Sequence, residues 1–166
     1  MADHPRLPKR NPNANSRTIS DCLNLSADVT EIVIDSGVNE PDFTGFDLSG
    51  FSRLKRLEIG NDCFTDVEEV KLIGLNELES VEIGMNSFVK NKKGDGYDAN
   101  RHFYVNGCPK LKSLKMGRYS FSDYTVCAIE NVNALEVIEM GDLENMTRCF
   151  CRASTLELRS ILIHSK

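Results

Sequence analysis

Leu78-Glu-Ser-Val-Glu-Ile-Gly-Met-Asn-Ser-Phe88 decides the fold, because its spacing returns on both sides of it. Upstream stands Leu54-Lys-Arg-Leu-Glu-Ile-Gly-Asn-Asp-Cys-Phe64, and downstream Leu111-Lys-Ser-Leu-Lys-Met-Gly-Arg-Tyr-Ser-Phe121. Each holds L-x-x-L-x-I/M-G-x-x-x-F, and three copies at that fidelity mark a repeat architecture. Such a pattern fixes shape far better than it fixes a partner.

The first apolar residue of each unit sets the phase: Val29, Leu54, Leu78, Leu111, Leu135 and Leu158, spaced 25, 24, 33, 24 and 23 residues. The long interval contains an insertion around Asn91-Lys-Lys-Gly-Asp-Gly-Tyr97. A second apolar triplet precedes each start by eight, six and three residues: Phe46, Leu48 and Phe51 before Leu54; Val70, Leu72 and Leu75 before Leu78. Phe103, Val105 and Cys108 repeat it before Leu111, as do Cys127, Ile129 and Val132 before Leu135. Before Leu158 the triplet decays to Phe150, Arg152 and Thr155, so the last connection is irregular.

Short alternation of apolar and polar residues is strand periodicity, and no stretch between units offers a helical run of ten or more residues. One unit cannot bury its own apolar edge, but units stacked along an axis share a continuous core. Gly60, Gly84, Gly117 and Gly141 are read as places where the chain corners and a Cβ would obstruct. The phenylalanine four residues on turns inward to fill the corner.

In a stacked parallel ladder, equivalent residues lie about 4.8 Å apart. The column Thr30, Lys55, Glu79, Lys112, Glu136, Arg159 alternates in sign from Lys55 onward. The column Val33, Glu58, Glu82, Lys115, Glu139, Leu162 has one like-charge conflict, between Glu58 and Glu82. Charges that neutralise one another laterally leave no single-sign field. With a net charge of -5 and pI near 5.3, this argues against nucleic acid as a partner. No apolar run approaches the roughly 20 residues a bilayer needs, and Met1-Ala-Asp-His-Pro-Arg has no apolar signal segment. A cytoplasmic location is the expectation.

The residues resemble the leucine-rich repeat family, whose strand segment reads L-x-x-L-x-L-x-x-N-x-L. Leu78, Val81, Ile83, Asn86 and Phe88 match it, as do Leu54, Leu57, Ile59 and Phe64 with Asp62 in the asparagine position. Leu111, Leu114, Met116 and Phe121 match with Tyr119 there, and the I-G-x-x-S-F variant looks like repeats of unicellular eukaryotes. The resemblance implies a mainly β, right-handed solenoid with a parallel β-sheet of five to six short strands and few or no long helices. It also implies protein binding without catalysis or cofactor. The solenoid is expected over residues 20–166, behind an arm at 1–19 that carries Pro5, Pro8 and Pro12.

Insertions in repeat arrays map to loops on one face and often bind. Lys90, Lys92, Lys93, Tyr97 and Arg101, with Arg118 and Tyr119 of the next unit's loop, form a candidate basic, aromatic-edged patch for an acidic protein. The other reading of the insertion is a solvated loop. The six cysteines read as reduced, mostly buried thiols. Cys149-Phe-Cys151 offers an alternative thiol or metal role, but C-x-C without a second pair is a weak ligand set. Leu158-Arg-Ser-Ile-Leu-Ile-His-Ser-Lys166 carries no polar cap, which points to a partner or a second copy on the C-terminal edge, as in a subunit of a larger assembly.

Overall fold

The computed structural model describes residues 27–90, 98–141, 148–151, 153 and 155–159. The expected arm at 1–19, and the start of the solenoid up to residue 26, lie outside them. Apolar residues two apart drive ten strands: β1 (Glu31–Ile34), β2 (Gly45–Asp47), β3 (Arg56–Ile59), β4 (Glu69–Ile73), β5 (Ser80–Ile83), β6 (Asp98–Asn106), β7 (Ser113–Met116), β8 (Tyr124–Glu130), β9 (Val137–Met140) and β10 (Thr155–Arg159). They wind through about five turns of a β-solenoid, which fits the right-handed, mainly β expectation. No helix occurs among the described residues, and none there could cross a membrane.

Two parallel sheets form where one was expected. The odd-numbered strands make one, in the order β1-β3-β5-β7-β9; the even-numbered strands make the other, β10-β8-β6-β4-β2. The second apolar triplet of each unit is a strand in its own right, so every coil has two inward faces packed on each other. Leu54, Leu78 and Leu111 are fully buried in one interior, beside Leu57, Val81 and Leu114.

The charge columns are true neighbours. Val33, Glu58, Glu82, Lys115 and Glu139 are successive register partners. Arg56 relieves the Glu58–Glu82 conflict by pairing with Glu58 and Glu31, whereas Lys115 reaches Glu139 at 2.9 Å.

The sixth start fails. Leu158 lies in β10 opposite Ile129, in the second sheet, and Arg159 pairs with Glu130 there. Gly117 to Phe121 spans four residues but Gly141 to Phe150 spans nine, so the last corner is longer and delays the next strand. Counting 23 residues on from Leu135 therefore lands on the wrong sheet.

Candidate functional site

The corner that follows the first sheet is built from three stacked columns. A Cβ on Gly84 would come within 2.5 Å of Gly60 C, and one on Gly117 within 2.5 Å of Met85 N. Glycine is needed there because the coils touch, more than because the chain turns. Behind each glycine, Phe64, Phe88, Phe121 and Phe150 adopt left-handed backbone, with φ of 59°, 57°, 56° and 49°. That conformation is costly for a bulky residue. Ring stacking at centroid distances of 5.0, 4.8 and 5.0 Å offsets it.

Between glycine and phenylalanine runs a column of small donors. Ser87 Oγ donates to Gly60 O at 2.8 Å and accepts from Cys63 N at 3.2 Å. Ser120 Oγ donates to Gly84 O at 2.6 Å and accepts from Ser87 N at 3.3 Å. The thiols of Cys63 and Cys149 occupy the equivalent place, donating to Asp35 O and Gly117 O. This ladder satisfies corner backbone groups that stacking removes from water. It runs one residue after the position where the family resemblance places asparagine.

The candidate binding residues separate. Arg101 is 1% exposed and is not available to a partner. Its guanidinium meets Asp123 Oδ2 at 3.1 Å, donates to Thr65 O and Val67 O at 2.9 and 2.6 Å, and lies over the Tyr124 ring. Lys90 N also donates to Asp123 Oδ2, at 3.0 Å, so one buried carboxylate ties both stems of the insertion. The Lys90 side chain is exposed and reaches Asp66 at 3.5 Å. Lys92, Lys93 and Tyr97 lie outside the described residues. Arg118 and Tyr119 do come together at the corner, where the ring is flanked by Arg118 at 5.3 Å and by Arg148 of the next coil at 5.9 Å. Arg148 had no mark in the sequence, because the long last corner hides its equivalence to Tyr119.

Cys149 belongs to the corner ladder, and burial pushes its thiol up to about 11. Cys151 donates to Ser122 O at 3.2 Å. Each thiol is thus engaged with backbone, and no group of three metal-ligating side chains converges among the described residues.

Among the described residues, exposed large apolar side chains concentrate on the last coil. Val137 and Ile138 of β9 are 41% and 36% exposed, and Leu156 and Leu158 of β10 are 58% and 61%. Leu156 and Leu158 hold the register of Cys127 and Ile129, which are buried one coil earlier. Around Ile129, Val132, Leu135, Ile138 and Leu158 the end opens into a recess of about 260 Å³.

The chain matches no protein-family model, no curated protein and no solved structure.

Proposed function

We propose that the chain is a non-enzymatic protein-binding module of leucine-rich-repeat type, acting in the cytoplasm as a recognition surface or as a subunit of a larger assembly. One observation carries the reading: apolar side chains in core register are left open to water at a single end of the solenoid. Four of the six large apolar side chains exposed among the described residues sit on β9 and β10. Surface apolar patches of this kind are characteristic of protein contacts. Thiols outside disulfides at Cys63, Cys108, Cys127 and Cys151 fit a reducing compartment. Binding of a purified partner, once found, should be lost on Leu156→Glu and Leu158→Glu; unchanged affinity would sink the assignment to this end.

A second surface is supported by the corner at Tyr119. Arginine and tyrosine are enriched at interface centres, and two guanidiniums against one ring favour an acidic protein segment. Met85, 45% exposed, occupies the Arg118 position one coil earlier. Charge reversal of Lys92 and Lys93 to Glu, combined with Tyr119→Ala, should weaken an acidic partner and leave binding at the open end intact. Equal affinity before and after would remove this surface.

A further inference from the structure

The occupant of the open end can be identified from three features, one contrasting the two ends and two lying in β9 and β10, resting on the reading of that end as a protein-binding surface. The first is shape. At the other end, Val29, Ile32, Ile34 and Phe46 are buried, so these side chains offer a head-to-tail mate little apolar surface to cover. Among the described residues, the exposed apolar side chains of β9 and β10 find their like when two such ends face each other.

The second is the backbone. Val137 N and Gly141 N donate to Lys112 O and Met116 O of the β7 side, so the strand alternation turns the N–H and C=O of Ile138 and Met140 outward. Asn131 N donates to Arg159 O, which likewise turns those of Leu156 and Leu158 outward. An antiparallel hydrogen-bonded pair exchanges both bonds between two opposed residues. Ile138 opposite Ile138, and Leu158 opposite Leu158, of a twofold-related copy satisfy that rule on both sheets. Ile138 and Leu158 line the same recess, so a single axis can pass through both.

The third is charge. Centring β10 on Leu158 places Glu157 opposite Arg159 of the other copy, twice per dimer. Centring β9 on Ile138 places Val137 opposite Glu139 and keeps the two Glu139 carboxylates apart. Within one chain Arg159 already holds Glu157 at 2.9 Å and Glu130 at 3.9 Å, on the outer face where a twofold mate would meet them.

We propose that the protein forms a twofold dimer by antiparallel pairing of β9 with β9 and β10 with β10, through Ile138, Leu158 and reciprocal Glu157–Arg159 pairs. Isologous contacts of this type are the commonest route to homodimers, and edge pairing removes the hazard of open strands.

The full-length chain is measured by sedimentation equilibrium at tens of micromolar, with circular dichroism confirming that each variant stays folded. A mass twice the 18.6 kDa of one chain is expected. Leu158→Glu should give the monomer. Glu157→Arg and Arg159→Glu should each weaken the dimer by about tenfold or more. Mixing those two variants should restore a heterodimer, because each cross-pair again joins opposite charges; loss of a merely structural role would not be rescued by mixing. A monomeric wild-type chain, single reversals that leave the dimer intact, or a mixture that stays monomeric would each overturn the proposal. A monomer that binds a purified unlike protein through Leu158 would overturn the second copy as occupant while leaving the protein-binding reading standing. A dimer that survives Leu158→Glu would overturn the twofold arrangement.

Discussion

The interior coils and the last coil carry similar letters in the same register and meet opposite fates. Leu72, Val105 and Ile129 are buried, whereas Leu158, next in their column, lies mostly in water. The difference is the presence of a neighbour on the far side. In a solenoid each coil supplies half of its neighbour's core, so an apolar residue is a core residue only when the stack continues past it.

The stack of rings offers the sharpest way to break that comparison. Phe121 lies between Phe88 and Phe150 at 4.8 and 5.0 Å and also touches Phe103 and Tyr124. Phe121→Ala should cost about 4 kcal/mol in denaturant unfolding, in the usual range for a buried phenylalanine. Phe150, the last ring described, is stacked on Phe121 and should cost about 2 kcal/mol on the same scale. Equal losses would mean that neighbours on the far side do not matter.

The glycines give the next effect. Gly84→Ala drives a Cβ into the backbone of the preceding coil and should destabilise by about 2 to 3 kcal/mol. Gly50→Ala meets open space and should be neutral or slightly stabilising. Thermal melts of both variants check it. Similar shifts would show that glycine serves the turn and not the stacking.

Stacking was the part of the fold that the sequence made legible, because a fixed period puts like residues side by side. The column of Val33, Glu58, Glu82, Lys115 and Glu139 and the shared burial of Leu54, Leu78 and Leu111 followed from the period alone. What the period could not carry was any partner outside it. Charge and nearness to the lysines put Arg101 in a binding patch when the sequence is read alone. Its strand position spoke otherwise, since Arg101, Phe103 and Val105 alternate onto one inward face. The carboxylate that makes the site habitable, Asp123, lies 22 residues on, and its periodic counterparts, Asp66 and Lys90, have partly exposed or exposed side chains, so the period does not mark it. The donor ladder was visible in principle as Cys63, Ser87, Ser120 and Cys149, two kinds of small donor sharing one position. Read one coil at a time, Cys149 looked like half of a thiol pair.

Exposed Leu158 should contribute far less to the stability of the isolated chain than its buried equivalents. Leu158→Ala at monomeric dilution should change unfolding free energy by about 0.5 kcal/mol or less, as surface sites do. Leu72→Ala, fully buried three strands away in the same column, should cost about 2 to 5 kcal/mol. A large loss at Leu158 in the monomer would mean that this end is closed within one chain, and the contrast between coils would disappear.

The smallest effect at neutral pH concerns the thiols, and it tests whether Cys149 is ladder or chemistry. Burial raises Cys149 to about 11, and Cys127 to about 12, from an ordinary 9.0. A thiol raised on folding keeps its proton in the native state at pH values where the unfolded chain has lost it. Its contribution is therefore fully present below pH 9, declines as pH rises beyond 9, and has finished declining above the folded value. Stability should be flat with respect to these groups from pH 7 to 8 and fall from 9 towards 11. Cys149→Ser, which keeps a small donor for Gly117 O, should flatten part of that decline and leave neutral stability little changed. The folded chain at pH 8 should accept iodoacetamide at exposed Cys151 and resist it at Cys149 until denaturant is added. Rapid native alkylation of Cys149 would show an ionised, accessible sulfur, which a buried corner ladder does not provide.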